Sequence, residues 1–146
     1  MLGFLRLTFL KPFAPAAMLA LRLYLGWLLI VGVWDNIAST DRMAEFEAFL
    51  RNLKCPMPQL AAPLSVWAQF AIGVAIIPGV LTRIAGVALA ANFIVAVALL
   101  APTGASERDL FPPAILIFVG LVFATQGAGA WSVDRLLRPK APKGPL

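Results

Sequence analysis

Two long apolar runs joined by a short turn constrain the fold of this chain more than any other feature. Residues 63–77 and 84–101 contain no charged side chain. Each run has roughly 15–20 residues, close to the length that a helix needs to cross a hydrocarbon layer of ~30 Å. Pro78 and Gly79 end the first helix, and the hydroxyl of Thr82 can cap the second. The pattern predicts a transmembrane helical hairpin.

Two further apolar segments extend the hairpin to four predicted spans. The chain is 61% hydrophobic and only 13% charged, a composition outside the range of soluble domains, so the lipid bilayer is its expected environment. The sequence therefore predicts an all-α, four-helix transmembrane bundle, formed by a single domain over residues 1–146. The expected spans are residues 16–34, 63–78, 83–101 and 111–127, with Pro112 and Pro113 at the start of the fourth.

Two segments outside the spans are expected to lie at the membrane surface. Residues 1–15 precede a first span with no clear small-x-small cleavage site, which favours an interfacial segment before an uncleaved anchor. Residues 41–54 are too short and too charged to span, and their apolar residues share one helical face. These residues are Met43, Phe46, Phe49, Leu50 and Leu53.

The distribution of charge predicts the orientation of the bundle. Four spans place both chain ends on one side, with Asp134 as the acid of that side and with Arg6, Lys11, Arg22, Arg83, Arg135, Arg138, Lys140 and Lys143 as its bases. The other side holds Arg42, Arg51, Lys54 and Arg108 together with Asp35, Asp41, Glu45, Glu47, Glu107 and Asp109. The positive-inside rule predicts cytoplasmic termini, including a basic tail over residues 132–146. We expect this charge to report topology and not nucleic-acid binding.

Two amides lie within the predicted spans. Asn92 shares a helical face with several alanines, and Gln69 shares one with Ser65 and Gly73, so both are expected to point at neighbouring helices. One interpretation is that the amides fasten helices together, a contribution of about 0.6–2 kcal/mol. The other is that they contact a quinone carbonyl or a lipid.

Charged and aromatic residues near the chain-end side suggest how the tail is held. Arg22 lies inside the first span, where a charge is costly unless it is paired or reaches the membrane surface. We expect Arg22 or Arg83 either to pair with Asp134, tying the tail to the bundle, or to reach lipid phosphate. Trp131 has the position of an interfacial aromatic residue.

Motifs in a fixed order resemble the DoxX family of small four-span bacterial membrane proteins, over roughly residues 17–138. They are Arg22 with Gly26 in the first span, GVLTR at 79–83, Asn92 in the third span, and GAWSVD at 129–134. The resemblance implies a plasma-membrane protein, and some relatives are linked with thiosulfate:quinone oxidoreduction or membrane redox complexes. Members often carry a glutamate where this chain has Gln69, and a lysine where it has Asp35 and Asn36.

Three classes of function compete. The chain has no histidine and one cysteine, so we expect neither covalently bound nor metal-ligated cofactors. This favours a non-catalytic membrane subunit of an electron-transfer or photosynthetic complex, with other integral membrane subunits as partners of its small-residue helix stripes. The alternative is the membrane subunit of a quinone-linked oxidoreductase. A small transporter is disfavoured because the predicted spans contain no carboxylate.

Overall fold

The computed structural model describes residues 7–137 of the chain. Arg6 and the tail bases Arg138, Lys140 and Lys143, which entered the charge argument, lie outside the described residues. Within them the chain forms 3-10 helices at Thr8–Phe13 and Ala101–Thr103 and six α-helices. The α-helices are α1 (Ala14–Ala38), α2 (Thr40–Asn52), α3 (Pro58–Ile76), α4 (Thr82–Leu100), α5 (Glu107–Gln126) and α6 (Val133–Leu136).

Four of these helices, α1, α3, α4 and α5, are long and apolar enough to cross a bilayer. They confirm the predicted all-α bundle of four spans, with the amphipathic helix α2 between the first two. We call the side that holds the start of α1, the α3–α4 turn and the end of α5 the terminal side. The opposite side, which holds α2 and the connection between α4 and α5, is the loop side.

Two helices are longer at the loop side than the sequence pattern predicts. α1 continues past Trp34 to Ala38, and the backbone N–H of Ser39 still donates to the carbonyl of Asp35. α5 starts at Glu107 and not at the proline pair, because Ser106 and Asp109 form a capping box that satisfies its first N–H groups. The added turns bring Asp35, Glu107 and Asp109 into helix ends, where all three are exposed.

Reciprocal glycine contacts join the spans into two tight pairs. In the α1–α3 pair, a Cβ atom added to Gly73 would lie 2.9 Å from the carbonyl oxygen of Gly26. In the α4–α5 pair, a Cβ added to Gly86 would lie 2.6 Å from the carbonyl oxygen of Gly120. Small residues at helix crossings let two backbones approach closely, which strengthens packing where lipid gives no hydrophobic driving force. The stripe of Gly120 and Ala124 therefore serves packing within the chain.

The two pairs meet in a core shared by all four spans. Leu29 of α1, Ile76 of α3 and Phe123 of α5 lie in one buried cluster, with Leu89 of α4 at its centre and fully buried. Phe123 is the largest fully buried apolar side chain of the described residues. The core thus connects the two glycine-packed pairs, and it decides their relative placement.

α2 lies across the loop-side end of α1 and α3. Its first N–H groups are capped by Ser39, whose Oγ accepts from the backbone N–H of Arg42. Ion pairs between Arg42 and Glu45 and between Arg51 and Glu47 stabilise its exposed face. Its apolar face turns towards α3, and there it lines the groove described below.

Candidate functional site

A groove runs between α3 and α4 on the loop side, beneath the apolar face of α2. α3 and α4 approach each other less closely than the helices of either glycine-packed pair, which leaves a volume of about 490 Å³. The groove is lined by apolar side chains except at Ser65 and Asn92. Its apolar lining consists of Phe46, Phe49, Leu50 and Leu53 of α2, Ala61, Leu64 and Ala68 of α3, and Ala88, Ala91, Val95, Ala96, Leu99 and Leu100 of α4.

A row of three polar side chains crosses from α3 to α4 at the groove. Gln69 Nε2 donates to Ser65 Oγ at 3.1 Å, and the Ser65 hydroxyl donates to Asn92 Oδ1 at 3.0 Å. The row is directional, because each group donates to the next. Among residues 7–137, no acceptor takes the N–H groups of the Asn92 amide, and Asn92 lines the groove. The lining of the groove therefore presents a hydrogen-bond donor among apolar side chains.

The row differs from the expected pair of facing amides. Ser65 lies between Gln69 and Asn92. Gln69 lies behind Ser65 as seen from the groove, and its amide is bonded to Ser65. The contact between Ser65 and Gln69 could be inferred from the sequence, because the two residues are four positions apart and share a helix face. The bond across to α4 depends on the register between the two helices, which no local pattern reveals.

A second polar assembly, the terminal-side cluster, consists of Arg22, Gly79, Thr82 and Asp134. Arg22 is only 2% exposed. Its Nη1 donates to the carbonyl of Ala128 and its Nη2 to the carbonyl of Trp131, both at 2.7 Å. The guanidinium is thus satisfied by the backbone that follows α5, and it does not reach for the membrane surface.

Gly79 lets the α3–α4 turn approach that same backbone. Its φ is +75°, and an added Cβ would lie 2.6 Å from Arg22 Nη1 and 2.9 Å from the Cβ of Ala128. The carbonyls of Pro78 and Gly79 accept from the N–H groups of Val133 and Asp134. The turn and the tail are therefore held together by backbone hydrogen bonds at a position where a side chain would not fit.

Asp134 caps α4 from the tail. Its Oδ1 accepts from the N–H of Leu81 at 2.8 Å and its Oδ2 from the N–H of Thr82 at 2.9 Å. The expectation that the Thr82 hydroxyl caps the helix is therefore wrong. Thr82 is fully buried, and within the described residues its Oγ1 has no hydrogen-bond partner. A carboxylate at a helix N-terminus satisfies two N–H groups and also complements the helix dipole.

The part of the chain that identifies its family comprises the first four α-helices. The DoxX family model matches residues 17–102, more than half of the chain, from α1 to the end of α4. The chain belongs to the DoxX family. Comparison with the curated proteins and with the solved structures finds no match. Both the polar row and the buried Arg22 of this DoxX protein lie in the matched range, while its Trp131–Asp134 segment follows it.

The remaining expected site residues of the DoxX protein lie on the terminal side. Arg83 is exposed, and its Nη1 donates to the carbonyl of Ala124 at 3.2 Å. The ring of Trp131 is also exposed, as suits an interfacial residue, while its carbonyl accepts from Arg22. Residues 7–137 contain no group of three histidine, cysteine or acidic side chains that could hold a metal ion. The absence of a bound cofactor stays a prediction.

Proposed function

We propose that this DoxX protein is a quinone-binding, non-catalytic subunit of a larger membrane complex for electron transfer. It holds the quinone in the groove between α3 and α4, and a partner subunit supplies the redox centre that exchanges electrons with it. The observation that carries the proposal is the Asn92 amide donor on the lining of an apolar groove.

The lining of the groove suits the chemistry of a quinone. A quinone head offers carbonyl oxygens, which accept hydrogen bonds, and its isoprenoid tail is apolar. Asn92 would donate to a carbonyl, and Ser65 and Gln69 would keep the Asn92 amide in orientation through their own bonds. Asn92 lies near the middle of α4, at a depth that a quinone head can reach from the hydrocarbon layer.

The side chains of this protein favour a partner subunit for the electron transfer. The chain has no histidine and a single cysteine, Cys55, so it offers few of the usual ligands of redox metals. The charged group buried in the membrane-spanning part, Arg22, is engaged with backbone carbonyls. We therefore assign the electron transfer to a partner and the holding of the quinone to this chain.

We further propose that the protein lies in a bacterial plasma membrane with its terminal side in the cytoplasm. Lys11, Arg83 and Arg135 on that side contrast with the acidic loop side, where Asp41, Glu45 and Glu107 are exposed. An excess of Lys and Arg near the membrane marks the cytoplasmic face in multi-pass proteins.

Extraction of bound quinone tests the proposal directly. The protein is purified in a mild detergent, its lipids are extracted, and quinone is quantified per chain by chromatography. We expect near-stoichiometric quinone in the wild type and clearly less in Asn92→Leu, whose affinity should fall about tenfold, since a hydrogen bond of about 1.4 kcal/mol corresponds to tenfold in affinity. Co-purification of a haem, flavin or iron–sulfur absorbance with the chain tests the assignment of electron transfer to a partner.

Thr125→Val is the matched control for the loss of a polar group within a span. Thr125 Oγ1 bonds to the carbonyl of Leu121 within its own helix, away from the groove. Equal quinone content in wild type and Asn92→Leu would refute binding at Asn92. In that case the polar row acts only as a fastening between α3 and α4, which is the second candidate role that its hydrogen bonds support.

A further inference from the structure

A cleft on the terminal side, distinct from the groove, is framed by two arginines. It lies between the start of α4, the backbone that follows α5, and α6, and its volume is about 750 Å³. Arg83 of α4 and Arg135 of α6 line it, together with the exposed apolar side chains of Leu81 and Ile84. The cleft therefore combines two positive charges with an apolar border.

We infer that this cleft binds the phosphate of an acidic phospholipid. Arg83 uses one of its five N–H groups on the carbonyl of Ala124. Within residues 7–137, neither Arg83 nor Arg135 forms a salt bridge. Guanidinium groups bind phosphate oxygens through paired N–H donors, so two arginines on the lining of one cleft suit a phosphate.

One acid, Asp134, also lines the cleft. Both carboxylate oxygens of Asp134 accept backbone N–H groups at the start of α4. The carboxylate is thus directed into the helix terminus, whose positive end offsets part of its charge. Two guanidiniums against one carboxylate leave the described lining of the cleft positive.

The depth and the border of the cleft favour a lipid over a soluble phosphate. Arg83 is the second residue of α4, and Gln126, which also lines the cleft, is the last of α5. Both therefore lie where a spanning helix leaves the hydrocarbon layer, at the level of lipid headgroups. Leu136 and Leu137, 83% and 72% exposed, follow Arg135 and are placed to enter the acyl layer beside it.

The ligand would connect parts of the fold that are far apart in sequence. A phosphate between Arg83 and Arg135 bridges the start of α4 to α6 beside the capping contact of Asp134. The bound lipid would thus reinforce the attachment of the tail to the bundle. The inference does not depend on quinone binding, because the groove and the cleft share no lining residue.

Lipid binding by the full chain tests the inference. The protein is reconstituted in phosphatidylcholine nanodiscs with and without phosphatidylglycerol, and retained lipid is measured by native mass spectrometry. We expect selective retention of phosphatidylglycerol, reduced about tenfold by Arg83→Gln or by Arg135→Gln, because each variant removes the charge-assisted hydrogen bonds of one guanidinium to the bound phosphate. Arg108→Gln on the loop side, which removes an exposed arginine outside the cleft, should change nothing.

Three results would overturn the inference. One is equal retention of phosphatidylcholine and phosphatidylglycerol by the wild type, which needs no variant and so does not depend on folding. Another is the same loss for Arg108→Gln as for Arg83→Gln, which would indicate a general effect of charge. The third is competition by glycerol phosphate at the same concentration as the lipid, which would assign the cleft to a soluble phosphate.

Discussion

At the terminal side, Arg22 and Asp134 bind backbone groups of distant segments and close the bundle. At the loop side, Ser65, Gln69 and Asn92 form a neutral row beside an open groove. The charged contacts satisfy backbone groups that lie outside regular helical hydrogen bonding, and the bond from Arg22 to Ala128 is buried, so they contribute to stability. The neutral row retains N–H donors on the groove, so it is suited to a ligand. The contacts that join distant segments of the chain therefore lie at one end of the bundle, and the neutral row beside the open groove lies at the other.

The largest effect is expected where the terminal side is most crowded. Gly79→Ala should lower the free energy of unfolding by about 3 kcal/mol, because a positive φ and the contact with Arg22 and Ala128 both penalise a Cβ. Gly104→Ala on the loop side has a φ of +77° with nothing within 4 Å of the added Cβ, and should lose only about 1 kcal/mol. SDS titration of the micellar protein measures both. Equal losses would mean that the close approach at Gly79 contributes nothing.

A smaller effect is expected at the two acids that cap helices. Asp134→Asn should cost about 1–2 kcal/mol, because the asparagine oxygen can accept only at one of the two N–H sites and the charge at the helix end is lost. Asp109→Asn, in the exposed capping box of α5, should cost about 0.5 kcal/mol.

Proteolysis of the tail in micelles provides the second measurement for these variants. We expect faster cleavage after α5 in Asp134→Asn than in Asp109→Asn, since only Asp134 joins the tail to α4. If both variants lose the same stability and are cleaved at the same rate, the tail contact is no stronger than a local cap.

The smallest effect is expected in the polar row. Ser65→Ala removes both bonds that link Gln69 to Asn92 and should cost about 0.6 kcal/mol, the average for hydrogen bonds between membrane helices. Thr125→Val, whose hydroxyl bonds within its own helix, should be close to neutral. The same SDS titration applies. A loss in Ser65→Ala as large as that in Gly79→Ala would show that the loop side is built as tightly as the terminal side.

Much of the fold was predictable, because hydrophobic periodicity and length act locally. The apolar runs predicted four spans, and the face of Phe46, Phe49 and Leu50 predicted the amphipathic helix α2. The expected fourth span begins at residue 111, while α5 itself begins one turn earlier at Glu107, because Ser106 and Asp109 form a capping box. A Ser-x-x-Asp pattern before an apolar run is a local signal for such a start.

The partners of the polar residues were less predictable. From the sequence, Arg22 is expected either to pair with Asp134, which would tie the tail to the bundle, or to reach lipid phosphate. In the structure, Arg22 and Asp134 each form hydrogen bonds with backbone groups. Thr82 was expected to cap α4 because a threonine at that position is a good local solution. The carboxylate of Asp134, which lies in the tail, caps the helix instead. A rule based on neighbouring residues does not consider a group that is distant in sequence.

The sequence by itself determined the four spans and the amphipathic helix, because each follows from the hydrophobicity of a continuous segment. Only the tertiary structure decided which backbone groups Arg22 and Asp134 satisfy and that Ser65 stands between Gln69 and Asn92. It also decided that α3 and α4 leave a groove. These features depend on how closely segments distant in sequence approach. Gly26 with Gly73 and Gly86 with Gly120 bring the helices of each pair together, while α3 and α4 lack such a contact among the described residues.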